Sequence, residues 1–151
     1  MQRKEQGFTL IELMITIAVL AIIATMAAPS FQTMIYNYEL KKDFKELLYI
    51  LSDGKSTSRV SNQTVLIFFR APDTNDPAHS LYLQVDEDKY DFNMKDKEIL
   101  FRNNGVIDPA AGEFPLCFEL KHLKSGQIKK IELSQLGMQQ VSDGACVEEA
   151  P

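Results

Sequence analysis

The sequence contains no tryptophan and, among 151 residues, two histidines and two cysteines. The histidines, His79 and His122, have no partners at the spacing that a zinc site needs. The sequence also lacks a serine-nucleophile motif, paired catalytic carboxylates and a glycine-rich phosphate loop. We therefore predict a protein that is not an enzyme, with no catalytic residue, no cofactor and no metal.

An excess of basic charge is missing as well. The formal net charge is -5, from 16 basic and 21 acidic residues. Proteins that bind nucleic acid usually present a basic patch, because phosphate neutralisation supplies much of their affinity. We expect no nucleic-acid partner, although four lysines remain candidates for a local patch: Lys121, Lys124, Lys129 and Lys130.

Charged residues are absent from one long stretch near the N-terminus. Residues 13–38 contain no Asp, Glu, Lys or Arg, and residues 8–28 contain a single charge, Glu12. A helix of the length of 8–28 rises about 31 Å, which matches the hydrocarbon core of a membrane. Because Arg3 and Lys4 precede it, the N-terminus is expected on the cytoplasmic side.

Glu12 separates three interpretations of this stretch. A secretory signal peptide has the same basic start and apolar run, and residues 25–27 suit its peptidase, but it needs no carboxylate. A plain signal anchor would place Glu12 in lipid at a cost of about 2.5–3.5 kcal/mol. In the third interpretation the carboxylate has a partner.

The segment GFTLIELM at positions 7–14 resembles the prepilin signature of type IV pilins and type II secretion pseudopilins. The resemblance implies cleavage after Gly7 and N-methylation of the new N-terminal Phe8. It also implies that Glu12 acts in assembly, by pairing with the terminal amine of a neighbouring subunit, and that Pro29 introduces a helix kink. In that case residues 1–7 are a leader and residues 8–31 a transmembrane helix that forms the filament core.

Beyond Pro29 the apolar residues keep helical spacing to about Ser58, and this part of the helix is amphipathic. Two helices broken near Pro29 remain an alternative. Alternation then predicts strands, separated by Gly, Pro and Asn turn signals, within residues 64–69, 80–85, 99–101, 116–120 and 127–133. We predict an α+β pilin-like fold, in which residues 32–151 form a periplasmic domain with the amphipathic helix packed on an antiparallel sheet.

The two cysteines, Cys117 and Cys146, predict one disulfide, since an even pair in an exported domain is typical of one. Two buried free thiols are the alternative. The disulfide would hold the polar segment 139–151, which we expect to fray otherwise. Five acidic residues lie between positions 86 and 96, and their spacing predicts a solvated loop and not a calcium site.

Residues 51–67, LSDGKSTSRVSNQTVLI, resemble the junction between helix and first strand in the GspH, FimT and FimU minor pilins. The chain departs from that pattern at Gly54, where alanine is usual. The resemblance implies a minor pilin that helps to initiate and cap a type IV pilus. Its partners would be other minor pilins and the major pilin, through the N-terminal helix, with the prepilin peptidase and the inner membrane.

Three other functions remain open, and a major pilin, which only abundance would distinguish, is one of them. A type II secretion minor pseudopilin would share every N-terminal feature. A DNA receptor for natural transformation is the alternative of another class, but relatives that bind DNA have a basic C-terminal segment, whereas residues 139–151 contain three acidic residues and no basic one.

Overall fold

The structure is a computed structural model and describes residues 8–146. Within them the chain forms one long α-helix, seven strands and a short 3₁₀ helix. In chain order these are α1 (Leu10–Ser61), β1 (Val65–Phe68), β2 (Ser80–Tyr82), β3 (Tyr90–Phe92), β4 (Glu98–Phe101), η1 (Pro109–Ala111), β5 (Leu116–His122), β6 (Ile128–Leu133) and β7 (Gln139–Asp143).

Helix α1 is continuous over 52 residues and includes Pro29. The alternative of two helices broken at that proline is therefore not observed. The helix ends where Asn62 adopts a left-handed conformation, with φ of 54°. The N–H of Gln63 then donates to the carbonyl of Ser58 at 3.2 Å, which is the bond of a Schellman motif and satisfies a free helix carbonyl.

The chain divides into two compact units, with the boundary between Ile35 and Tyr36 inside α1. The second unit contains all the strands and the C-terminal half of the helix. Its helical residues are buried at spacings of three and four, as the amphipathic pattern predicts. The buried set is Leu40, Phe44, Leu47, Ile50, Leu51, Gly54 and Ser58.

The strands form two sheets, ordered β2-β1-β4 and β3-β5-β6-β7. Every pair in the four-stranded sheet is antiparallel, and so is β1 with β4. Strands β1 and β2 are parallel, so the chain returns between them through the loop 69–79. The predicted α+β fold, one long helix packed on small, mainly antiparallel sheets, is confirmed.

The core lies between the helix and the two sheets. Strand β5 shows strict alternation, with Leu116, Phe118, Leu120 and His122 buried and the residues between them half-buried. Fully buried side chains from the other elements include Leu47, Ile67, Ile99, Phe101, Ile107, Ile131 and Leu133.

Two strands were not predicted. Strand β3 lies within the acidic segment, where Tyr90 and Phe92 are buried on either side of exposed Asp91. Strand β7 lies in the polar segment that the disulfide was expected to hold, and its backbone pairs with β6 over residues 139–143. A polar sequence is tolerated there because β7 is at the edge of the sheet and its side chains remain partly in water.

Candidate functional site

The first part of α1 presents apolar side chains to its surroundings. Phe8, Leu10 and Met26 are each more than three-quarters exposed, and other large apolar residues up to Ile35 are about half exposed or more. The helix is long and apolar enough to cross a membrane. A surface of this kind needs lipid or other apolar helices around it, because its side chains cannot form hydrogen bonds with water.

The threonines of this segment are satisfied within the helix. Thr16 donates its hydroxyl to the Leu13 carbonyl at 2.8 Å, and Thr25 donates to Ile22 at the same distance. Thr33 donates to the Pro29 carbonyl at 3.1 Å. Such bonds remove the need for water at these hydroxyls, which makes the segment compatible with a hydrocarbon environment.

Thr9 and Glu12 form the N-terminal cap of the helix. The hydroxyl of Thr9 accepts the N–H of Glu12 at 3.3 Å, and its carbonyl accepts the N–H of Leu13 at 3.2 Å. Glu12 therefore occupies the third helical position of an S/T-x-x-E capping sequence. A carboxylate in the first turn also interacts favourably with the positive end of the helix dipole. This capping role was not predicted, although the Thr-x-x-Glu spacing in the sequence was a signal for it.

Two of the remaining N-terminal site residues, Phe8 and Pro29, lie within the described part of the chain. Phe8 lies immediately before the cap and is 78% exposed. Pro29 lies inside the helix, where it cannot donate a backbone hydrogen bond. The kink at Pro29 stays a prediction. Gly7 and the rest of the leader lie outside the described residues.

Cys117 and Cys146 form the predicted disulfide, with Cα atoms 5.9 Å apart. One further hydrogen bond holds the C-terminal segment against β5, and two more join Asn93, just after β3, to the same strand. The N–H of Cys146 donates to a carboxylate oxygen of Glu119 at 2.8 Å. The side-chain amide of Asn93 donates to the Cys117 carbonyl at 3.0 Å, and its oxygen accepts the N–H of Glu119 at 2.8 Å. The disulfide thus belongs to a polar network on the outer side of the sheet.

His122 is a buried strand residue, 1% exposed, and its ring lies 4.8 Å from the ring of Tyr36 and 5.4 Å from that of Tyr90. Its Nδ1 accepts the N–H of Ser125 at 3.1 Å, so the neutral ring has its proton on Nε2. That Nε2 is 3.7 Å from a carboxylate oxygen of Glu39. Burial raises the pKa of the Tyr90 phenol above its ordinary value.

The four candidate lysines do not form one patch. Lys129 lies 2.6 Å from a carboxylate oxygen of Asp143, and Lys130 lies 2.7 Å from one of Glu132. Since they are consecutive in β6, their side chains point to opposite faces of the sheet. Lys129 and Lys130, the two that lie in β6, are therefore already paired with carboxylates.

The acidic segment offers no metal site in the part of the chain that the structure describes. Within residues 8–146, no group of three or more His, Cys, Asp or Glu side chains is arranged to hold a metal ion. Lys89 lies 3.4 Å from Asp86, and Lys95 lies 2.7 Å from Glu87. Two of the carboxylates are thus neutralised by nearby ammonium groups.

Comparisons with known proteins match this chain to a family model and to a fimbrial protein. Residues 2–28 match the family model described as the prokaryotic N-terminal methylation motif. The chain is also 41% identical over 59 residues to a fimbrial protein of Moraxella nonliquefaciens. That match covers 39% of this chain and 35% of the fimbrial protein, so the chain spans about a third of the length of this relative. Likeness to it is limited to that part.

Proposed function

We propose that this type IV pilin-like protein is a minor pilin, a structural subunit that helps to initiate and cap type IV pilus assembly. The observation that carries the proposal is the exposed apolar part of α1. Its one carboxylate, Glu12, lies in the first turn of the helix. The methylation motif and the likeness to a fimbrial protein support the same conclusion. Pilin-like proteins are structural, and no catalytic role is proposed.

Processing supplies the partner for that carboxylate. Cleavage after Gly7 by the prepilin peptidase, followed by methylation of Phe8, leaves an amine at the membrane surface. In an isolated subunit Glu12 lies in the apolar segment without a cation, at a cost of up to about 2.5–3.5 kcal/mol, which is the value for the membrane centre. Pairing with the amine of an adjacent subunit offsets that cost. Assembly is therefore favoured over the isolated membrane state, and the pair fixes the axial position of one helix against the next.

Anchoring and location follow from the same helix. Residues 8–31 would span the inner membrane once, with residues 32–151 as the periplasmic domain. On assembly the helix leaves the bilayer for the core of the pilus, where the apolar helices of other minor pilins and of the major pilin surround it. The exposed apolar side chains then exchange lipid for protein, which keeps them out of water at every stage.

The proposal is tested with Glu12→Ala in a host that assembles pili. The variant is expected to insert normally, because removing a carboxylate eases insertion, and to be depleted at least about tenfold from the sheared filament fraction, as loss of a desolvated ion pair implies. Membrane and filament fractions are compared by immunoblot.

Thr9→Ala is the matched control. It removes the helix cap, a loss of about 1 kcal/mol, and leaves the carboxylate in place. Glu12→Gln in turn preserves the capping side chain and removes the charge. If Thr9→Ala is depleted as much as Glu12→Ala, or Glu12→Gln assembles normally, Glu12 acts as a cap and the assembly role is wrong.

A type II secretion pseudopilin is the second candidate, since the cap, the apolar helix and the motif suit both machines. The two are separated by expressing the tagged chain in strains that lack either the pilus assembly ATPase or the type II secretion ATPase. A minor pilin is lost from the filament fraction only in the first strain.

A DNA receptor is the candidate of another class. The mature side chains sum to -6, since removal of residues 1–7 leaves 14 basic and 20 acidic residues. We expect weak binding at most, and that binding should fall steeply with salt because it depends on counterion release. Fluorescence polarisation with short duplex DNA at physiological salt measures it. Low-micromolar affinity would favour the receptor.

A further inference from the structure

A groove of about 610 Å³ lies beside the last turns of α1. We call it the helix-end groove and define it by its lining residues: Ser52, Lys55, Ser56, Arg59, Val60, Gly137 and Gln139. Lys55 donates to the Gly137 carbonyl at 3.3 Å. Within residues 8–146, neither Lys55 nor Arg59 has a carboxylate within ion-pair distance.

Two glycine turns shape this groove. A Cβ atom on Gly105 would lie 2.6 Å from Cδ of Arg59, and one on Gly137 would lie 2.9 Å from Cδ of Lys55. Both glycines have positive φ, 79° and 69°, which other residues rarely adopt. The stems of both cationic side chains thus pack directly on backbone. This packing places the positive charges of Lys55 and Arg59 at the surface of the groove.

Exposed apolar side chains lie at and beside the groove. Val60 is 85% exposed, and Leu136 and Met138 of the adjacent turn are more than half exposed. Two unpaired cations beside exposed apolar side chains fit a protein segment that presents carboxylates and covers those side chains on contact.

The chain itself presents such a segment on the other side of the helix. Residues 86–91, the acidic loop, contain four carboxylates and one lysine. In the described part of the chain, Asp88 and Asp91 have no ion-pair partner. Asp86 and Tyr90 share a small cavity with Asp43 and Leu47, so the loop lies against that part of the helix.

The groove and the loop cannot meet within one molecule. Their helix neighbours, centred near residues 45 and 56, are about 16 Å apart along the axis at 1.5 Å per residue. At about 3.6 residues per turn, Asp43 and Leu47 lie on the face opposite Ser52 and Ser56. Two complementary patches on opposite faces and different ends of one body can pair only between molecules. Such pairing is head to tail, and if it does not close into a ring it produces a helical filament.

We propose that the helix-end groove receives the acidic loop of a second copy of this chain, with Lys55 and Arg59 facing Asp88 and Asp91. The inference rests on the proposed filament function and adds to it that at least two copies are adjacent. These charged pairs would lie at the solvent-exposed edge of the interface. The charges would therefore determine the register and the choice of partner more than the affinity.

The test uses two differently tagged full-length copies, co-expressed in a host with the prepilin peptidase. One copy has Ser56→Cys and the other Lys89→Cys, and membranes are treated with a short bis-maleimide reagent. The native cysteines are in a disulfide and do not react. A crosslinked heterodimer is expected. The control pair, Ser56→Cys with Thr74→Cys in another exposed loop, should give at least about fivefold less, because a head-to-tail contact positions only one loop at the groove.

Charge reversal gives the decisive measurement. Lys55→Glu with Arg59→Glu in the first copy should reduce the heterodimer at least about fivefold, since it replaces attraction by repulsion across the contact. Asp88→Lys with Asp91→Lys in the second copy should do the same. Combining both reversals should restore at least half of the original yield.

Three results overturn the proposal: no heterodimer, a heterodimer equal to that of the Thr74→Cys control, or reversals that do not compensate. A groove that binds nucleic acid is revealed if duplex DNA abolishes crosslinking and the combined reversal does not restore it. If the proposal fails while Glu12→Ala is still lost from filaments, the proposed function stands without it. If Glu12→Ala assembles normally and compensation is still observed, the pairing is real but is not evidence for a pilus.

Discussion

Gly54 of the helix and Ile67 of β1 pack so closely that a Cβ atom on residue 54 would lie 2.6 Å from Cδ1 and 3.1 Å from Cγ1 of Ile67. Phe101 lies 3.3 Å from the same position. Because Ile67 and Phe101 are both fully buried, neither can move away without disturbing the core. This contact explains why glycine occupies a position where alanine is usual in the minor pilins that this junction resembles.

The contact predicts the effect of Gly54→Ala. Alanine gains up to about 1 kcal/mol of helix propensity, but overpacking costs roughly 1–3 kcal/mol, so a net loss of about 1 kcal/mol is expected. Thermal unfolding of the full-length chain in detergent measures it. The second change, Ile67→Val, removes Cδ1, so Gly54→Ala should cost less in that background, and a double-mutant cycle detects the coupling. Additive effects would show that the close approach is relieved elsewhere.

The N-terminus of the mature protein is predicted to be methylated Phe8. The motif over residues 2–28, the cap at Thr9 and the glycine at position 7 all fit cleavage at this bond. Mass spectrometry of protein isolated from a host with the prepilin peptidase checks it. A chain that begins at Ala28 would instead identify an ordinary signal peptide and would remove the basis of the filament proposal.

The disulfide is predicted to stabilise the domain. It closes a loop between residues separated by 29 positions, which corresponds to about 3–4 kcal/mol on the chain-entropy model. Cys117→Ser with Cys146→Ser should therefore lower Tm by roughly 15 °C or more for a domain of this size. Asn93→Ala removes the neighbouring polar contacts and keeps the disulfide, so it separates the two effects. An unchanged Tm in the double serine variant would mean that the network around Glu119 suffices.

Arg70 and Asp76 fix the loop that joins the two parallel strands. Nη1 of Arg70 donates to Asp76 at 2.9 Å, and the N–H of Asp73 donates to the same oxygen at 2.8 Å. The side-chain hydrogen bond from Arg70 is the main cause that lowers the pKa of Asp76 to about 2. Because this pKa is below its unfolded value of 3.8, the stabilisation is fully present above about pH 4 and is lost as the pH falls through 2.

Asp76→Asn should accordingly be less stable than the native chain at neutral pH. The difference should shrink as the pH falls from 4 through 2, because protonation progressively removes the Asp76 charge that the variant lacks. Chemical denaturation at a series of pH values measures it, and NMR titration of the Asp76 carboxyl gives the pKa directly. Asp73→Asn is the control, because Asp73 is in the same loop and makes no ion pair with Arg70 among the described residues. A difference that stays constant down to pH 2 would contradict the assignment.

Sequence patterns were sufficient for the helix and for five of the seven strands. They succeeded where burial imposes a period, as in β5, whose alternate residues face the core. They failed at β3, where two buried aromatics were obscured by the surrounding carboxylates. They also failed at β7, whose polar residues are stabilised by backbone pairing with β6 and by the nearby disulfide, neither of which has a local signature.

The candidate site divides in the same way. Gly7, Phe8 and Glu12 could be predicted as site residues because a short motif contains them within a few positions, and their roles stay predictions. The helix-end groove could not be predicted from the sequence. Only the packing of two distant turns against the helix brings Gly105 beside Arg59 and Gly137 beside Lys55. Contacts between residues about 50 to 80 positions apart have no local pattern from which they can be predicted.

The order of the four-stranded sheet also determines when this protein can fold. Its two central strands are β5 and β6, and the last strand, β7, comes from the final part of the chain. The helix precedes every strand in the chain, so its apolar residues Leu40, Phe44 and Leu47 lack the two central strands until residues 116–133 have been synthesised. During that interval the growing chain exposes an apolar surface that can aggregate with other chains. The domain therefore depends on completing β5 and β6 before it meets another copy.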